Sequence, residues 1–235
     1  FVIHLAAKTD AAQSKEYKNE FYTNNLAATK KIINYCLKTK AKLIFASSTS
    51  VYGPQSNLVD EYCDASELKP QSPYADIKLI EEKLIQKRLK NKNFYILRLG
   101  TIYGFSPGIR FHTAVNKFIF QSSQDLPLTV WKTAFNQKRP YLSLSDFNRA
   151  INHIINNRVL PNHIYNIVSL NLTVKQIVNS IKKYKNKIKI KFVNHPIMNQ
   201  LSYEVSNNKF QSTRFKFLSK LDNDIKLTLK NLKGI

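Results

Sequence analysis

The chain has 235 residues, 43% hydrophobic and 22% charged, which excludes a disordered or fibrous protein and allows one large or two small cored domains. Its 37 Lys and Arg against 15 Asp and Glu give a formal charge of +22, and its five glycines leave no glycine-rich phosphate loop. No run of about 18 apolar residues occurs, FVIHLAA lacks the basic flank of a secretory signal, and Cys36 and Cys63 form no CxxC, so no membrane span, disulfide framework or metal ribbon is expected and a reducing cytoplasm is.

In chain order, VIHLA (2–6) reads as a buried strand, and residues 15–39 as a helix with apolar side chains near helical spacing. KLIFA (42–46) is a second buried strand ending in the polar turn SSTS. Ser72, followed by Pro73 at the first helical position, opens a helix to about Leu89. FYILRL (94–99) is a third strand, followed by GTIYGFSPG. This alternation of all-apolar strands and helices predicts an α/β fold with a doubly wound parallel sheet covered on both faces. Ligands of such sheets sit beyond the carboxyl ends of the strands, here Ala6–Thr9, Ser47–Gly53 and Gly100–Gly108.

Past Gly108 the pattern predicts a helix near 110–123, short strands at 128–131 and 140–144, and a helix opened by Ser145 or Asp146. A strand at 163–168 and a helix at 172–184 capped by Thr173 follow, then a less regular tail. Residues 1–108 read as one domain, and 109–235 mainly as a smaller α+β domain, with the strand near 163–168 returning to the first sheet. The charge is 30 Lys to 7 Arg and spread along the chain. In its densest stretch, 182–191, Ile188, Ile190 and Phe192 alternate with Lys187, Lys189 and Lys191, the period of a half-buried strand with a solvated basic face. Nucleic acid is not the expected partner.

The pattern richest in chemistry is Tyr74 and Lys78 in SPYADIK. Spacing i,i+4 puts both on one helix face. A phenol of pKa near 10 is a poor base at neutral pH, and a neighbouring ammonium favours the phenolate. SSTSVYG (47–53) follows a buried strand, so a hydroxyl at that strand end can fix a substrate oxygen while the tyrosine exchanges its proton. His4 reads as a hydrogen-bonded strand residue, and Trp131 as core with base stacking as the alternative.

With HLAA (4–7), NNLAAT (24–29), SSTSVYG, PYADIK (73–78), LRLGTIYG (97–104) and QKRPYLSLSD (137–146) in order, the chain resembles the extended short-chain dehydrogenase/reductase family of NAD-dependent nucleotide-sugar epimerases and dehydratases. The resemblance implies a Rossmann-type sheet, entered at its fourth strand, with the first strands and the phosphate loop expected before Phe1. It implies NAD as cofactor, with NADP left open, a nucleotide-diphosphate sugar as substrate, and a homodimer formed through the helices 15–39 and 73–89. Tyr74 resembles the catalytic acid/base, Lys78 its cationic partner and the ribose-binding residue, and Ser48 the catalytic Ser/Thr. Leu5, Ala6, Ala7 and Asn25 resemble the positions lining the cofactor. Arg139 resembles the arginine that grips the diphosphate, and Thr101 stands where relatives carry a substrate-contacting Asn. Dehydratases follow the catalytic Ser/Thr with Asp-Glu; Thr49 and Ser50 stand there instead. The expected reaction is therefore 4-epimerisation or 4-keto reduction, with a catalytically inactive fragment or a basic polyanion-binding module as the alternative.

Overall fold

The structure, a computed structural model, describes residues 1–11, 13–90, 93–156, 159–194 and 202–232; Met198 and Gly234 lie outside them. The first half runs β1 (Val2–His4), α1 (Lys18–Thr39), β2 (Leu43–Ser48), β3 (Leu58–Val59), α2 (Pro73–Arg88), β4 (Phe94–Leu99) and β5 (Thr101–Tyr103). The second runs α3 (Ala114–Ser123), β6 (Leu128–Trp131), β7 (Lys138–Ser143), α4 (Leu144–Ile155), β8 (His163–Ile167), β9 (Leu170–Thr173), α5 (Val174–Lys182), β10 (Ile190–Val193), β11 (Glu204–Val205), α6 (Asn208–Gln211) and α7 (Leu221–Leu232).

The main sheet is parallel, ordered β1-β2-β4-β8. Registers such as His4 opposite Phe45, Phe45 opposite Ile96 and Leu97 opposite Tyr165 align the strand ends. Its strands are apolar throughout because both faces are covered. Leu43, Phe45, Phe94 and Ile96 pack with Ile33 of α1 and Ile85 of α2. The alternate residues Ile44, Tyr95 and Leu97 pack on the other face with Phe147, Ile151 and Ile154 of α4. Residues 163–167 pair in parallel with β4. A second core gathers Val115 and Ile119 of α3, Leu128 and Val130 of β6, Ile177 and Ile181 of α5, and Ile225 and Leu229 of α7.

Caps set the helix boundaries. The Ser72 hydroxyl accepts from the Ala75 amide at 3.2 Å, and Thr173 with Gln176 forms a capping box, satisfying amides left open at a first turn. Three starts differ from the reading above, the first helix beginning at Lys18 rather than at residue 15. The third helix begins at Ala114 rather than near 110, behind Thr113. The fourth begins at Leu144 behind Ser143, because Asp146 serves as a tether: its carboxylate accepts from Ser169 Oγ and from the amides of Leu218 and Ser219. The basic stretch becomes strand only at Ile190, since Tyr184 and Lys185 still turn back onto Ile181. Phe192 stays about half exposed, its ring edge-on to Phe135. The tail, read as irregular, contains α7, whose Ile225, Leu229 and Leu232 recur at i, i+4 and i+7. No helix among the described residues is long and apolar enough to cross a membrane.

Candidate active site

The parallel strands end on one side, and the polar residues of β2 gather there. A 3-10 turn at Thr49–Tyr52 follows β2, with Ser48 at its cap. The Ser48 oxygen accepts from the Ser50 amide at 3.2 Å and from the Ser50 hydroxyl at 2.9 Å. With those lone pairs occupied, the Ser48 proton is free to donate, and the half-buried Tyr74 phenol lies close enough for Ser48 to lower its pKa. Ser50 thus orients the serine. Gly53 closes the turn at φ +64, and a Cβ there would meet the Lys69 carbonyl oxygen at 1.8 Å, so only glycine fits.

Tyr74 and Lys78 lie in α2, which packs on α1 and β2. Burial pushes the Tyr74 phenol up, Ser48 pulls against the rise and the negative charge of Glu81 adds to it, leaving it at about 12. Lys78, expected to act on that phenol, sits 3.2 Å from Glu81 Oε2 and 4.5 Å from the centroid of Phe45, with 3% of its surface exposed. Burial lowers its pKa, and Glu81 opposes the fall. In this geometry Ser48 supplies the downward pull on Tyr74, while the ammonium is turned to Glu81.

Glu81 itself belongs to a buried chain of contacts. The Thr29 hydroxyl of α1 donates to Glu81 Oε1 at 2.5 Å, and His4 Nε2 lies 3.0 Å from that hydroxyl. Burial, helped by Lys78, lowers the His4 pKa to about 4, so the imidazole is neutral. His4 is the structural strand residue it was expected to be. Glu82, the next residue, serves another partner: it accepts from Ser47 Oγ at 2.5 Å and pairs bidentately with Arg98 at 3.1 and 2.8 Å.

Beyond β1, Leu5 and Ala6 are exposed and Ala7 half-buried, so the strand end is open. Ala7 helps line a cleft of about 540 Å³ with Tyr17, Phe21 and Arg110. Asn25 is buried and spends its amide on the Lys8 backbone, accepting from its N–H at 2.9 Å and donating to its carbonyl at 3.1 Å; it shapes this loop. Thr101 opens β5, opposite Tyr141 of β7, the strand that carries Arg139. Arg139 Nη2 is buried without a hydrogen-bond partner among the described residues. Tyr203, buried 3.5 Å from Thr49 Oγ1, feels the charge of Arg139 and acts on Tyr74. Nothing in the sequence around Tyr203 marks it as part of this site. His112 is exposed and belongs to no contact here, Trp131 is half-buried against the second core, and no metal-ligand cluster exists among the described residues.

Against known proteins, this chain is 31% identical over 160 residues, 66% of its length, to an uncharacterised UDP-glucose epimerase of Bacillus subtilis strain 168, and covers 48% of that relative. It is 30% identical over 180 residues, 71% of its length, to the dTDP-D-glucose 4,6-dehydratase of Dictyostelium discoideum, covering 40% of it. The chain thus spans about half or less of the length of these curated relatives. Among solved structures it superposes with TM-score 0.85 on the UDP-glucuronic acid 4-epimerase of Bacillus cereus in complex with UDP-glucuronic acid and NAD, at 25% identity, with 99% of this chain and 75% of that one covered. It superposes with TM-score 0.88 on MoeE5 in complex with UDP-glucose and NAD at 22% identity, covering 99% of this chain and 79% of that one, a likeness of fold. A family model matches residues 1–168, which take in Ser48, Tyr74, Lys78 and Arg139, and the chain belongs to the NAD dependent epimerase/dehydratase family.

Proposed function

We propose that this chain carries the catalytic part of an NAD-dependent nucleotide-sugar 4-epimerase or 4-ketoreductase. The observation that carries the reading is the Ser48 hydroxyl at the end of β2, oriented by Ser50 and close enough to Tyr74 to lower its pKa, with Ser50 standing where a dehydratase needs a carboxylate. Tyr74 holds or takes the proton of the sugar 4-hydroxyl, and Ser48 fixes the same oxygen. Thr49 and Ser50 offer no acid or base for removing water from the ring, so the chemistry stays at one carbon. Arg139, with a buried unpartnered nitrogen, suits the diphosphate, which needs a fixed bidentate donor.

The residues fit one end of a dinucleotide. Leu5, Ala6 and Ala7 present an open, apolar strand end for a flat ring, and the Lys78 ammonium is of the kind that holds ribose hydroxyls. The chain has no glycine-rich loop for the pyrophosphate. NAD, when bound, supplies the acceptor and donor of hydride; the relatives bound to NAD and to uridine-diphosphate sugars support both ligands as classes. Tyr35 and Ile80, exposed on the paired helices α1 and α2, support a homodimer through them. Gly108 is the proposed boundary between the catalytic and substrate-binding parts, and the cytoplasm the proposed setting.

The test is turnover of UDP-, GDP- and dTDP-hexoses by the polypeptide that contains this chain, followed by NMR of the sugar products. A 4-epimer or a reduced 4-keto sugar is expected. Tyr74→Phe should abolish turnover by about 10²-fold or more while sparing cofactor binding, because it removes a proton and almost no volume. Turnover on none of the three, or full activity of Tyr74→Phe, would overturn the proposal.

A further inference from the structure

A cleft of about 870 Å³ lies away from the site above, between α4 and the extended stretch that follows α6. Its helical wall is Arg149, Asn152, His153 and Asn156, at i, i+3, i+4 and i+7, one face of α4. The opposite face of that helix, Phe147, Ala150, Ile151 and Ile154, is buried in the core. The second wall alternates. Phe215 and Phe217 turn inward to Phe210, at 4.9 and 6.2 Å between ring centroids, while Arg214 and Lys216 are exposed in the cleft.

Among the described residues no carboxylate lines this cleft. The nearest, Asp146, is buried and accepts from Arg149 at 2.8 Å as well as from Ser169 and the Leu218 and Ser219 amides, so its charge is already matched. That pair and the Phe215 ring, 5.0 Å from its guanidinium carbon, hold Arg149 in place. Arg214 and Lys216 make no ion pair among the described residues. Two of the three cations on the wall, Arg149 and Arg214, are arginines. Guanidinium forks match phosphate oxygens in pairs, and a concave basic wall concentrates anions by focusing its field. The volume falls in the range of small-molecule sites, of order 300–1,000 Å³.

We propose that the cleft formed by Arg149 and His153 of α4 with Arg214 and Lys216 is a second ligand site, for a small molecule bearing a diphosphate or a comparable multivalent phosphate. Arg214 and Lys216 provide the uncompensated charge, and the side chains of Asn152 and Asn156 provide neutral polar contacts to the remainder of the ligand, while the Thr213 hydroxyl, bonded to the Phe210 carbonyl at 2.6 Å and to His153 Nε2 at 2.9 Å, braces the wall. The site stands whether or not the catalytic reading above holds.

Inorganic pyrophosphate titrated calorimetrically into the full chain at low salt tests this. Saturable binding of one pyrophosphate in the cleft, beside any held at Arg139, is expected, and it is weakened at least about tenfold by Arg214→Gln with Lys216→Gln, both exposed and outside the core. Arg139→Gln, at the other site, should leave it unchanged. No saturable heat up to about 10 mM pyrophosphate, or equal affinity in the double variant, would overturn the proposal. So would a 12-nucleotide single strand that binds the same residues more tightly than pyrophosphate, which would make this face a nucleic-acid surface instead.

Discussion

Replacing Glu81 by Gln removes one charge from the buried network beside Tyr74 and almost nothing else. Gln keeps a carbonyl oxygen for the Thr29 hydroxyl, so the link to His4 survives. Lys78, 3% exposed and 3.2 Å from Glu81, loses its only ion-pair partner among the described residues. Removing one member of a buried pair typically costs about 3–5 kcal/mol. The structure also bounds the loss, because Lys78 can discard its proton: taking a lysine from its ordinary pKa of 10.5 to neutrality at pH 7 costs at most about 4.8 kcal/mol. A loss of about 3–5 kcal/mol corresponds to roughly 10 °C in Tm for a chain this long. The sign with pH follows from proton counting. In the variant the unfolded chain keeps the Lys78 proton up to 10.5 while the folded chain releases it earlier, so stability rises with pH across that interval. Wild-type Lys78, itself lowered by burial, gives a slope of the same sign but shallower, since Glu81 opposes the fall. Urea denaturation of both proteins at pH 7, 8.5 and 9.5 is the assay, and the deficit of the variant should shrink steadily with pH. A double variant, Glu81→Gln with Lys78→Met, should recover most of the stability, because no bare charge remains. A deficit below about 1 kcal/mol at pH 7, or one independent of pH, would refute the assignment of Glu81 as the counter-ion of Lys78.

Gly53→Ala should destabilise the chain by more than about 1 kcal/mol, because the new Cβ meets the Lys69 carbonyl oxygen at 1.8 Å and φ is +64; thermal denaturation with retained Tm would contradict it. The neutral state of His4 makes the fold acid-sensitive. With a folded pKa of about 4 against 6.5, the unfolded chain binds the extra proton first, so stability falls as pH drops from 6.5 and has lost about 3 kcal/mol by pH 4. His4→Gln should flatten that part of the pH–stability curve, and an unchanged slope would show that the acid sensitivity comes from elsewhere.

Much of the fold was legible in the sequence because local rules and tertiary demands agree there. The strands at 43–48 and 94–99 are apolar at every position since each face has its own helix layer, and Ser72 and Thr173 announce their helices through caps that the structure uses. Tyr74 and Lys78 were legible as a pair, for i,i+4 spacing depends on one helix alone. What was not legible depends on a second element arriving. Tyr203 reaches Thr49 across 154 residues, and no periodicity in its neighbourhood reports that. Asp146 looked like a helix cap until the amides of Leu218 and Ser219 were seen to claim it.

Glu81 and Glu82 show why the charge state of such a site escapes a reading of residue types. They are neighbours in one helix, about 100° apart around its axis, and that angle sends them to different layers. Glu82 turns to Ser47 of β2 and Arg98 of β4 and fastens the helix to the sheet with two hydrogen bonds to one guanidinium. Glu81 turns to Lys78 and, through Thr29, to His4 of β1. A lysine four residues from a tyrosine suggests an ammonium aimed at the phenol, yet the nearest formal charge to that ammonium is Glu81, and the phenol is left to Ser48. The balance at Tyr74 is therefore set by its burial, by the Ser48 hydroxyl lowering its pKa and by Glu81 and Tyr203 raising it, while the nearby cation is already committed. A ligand that draws Lys78 from Glu81 toward its own hydroxyls would change that balance without moving the tyrosine, and the pH at which Tyr74 becomes competent would fall as the ammonium approaches.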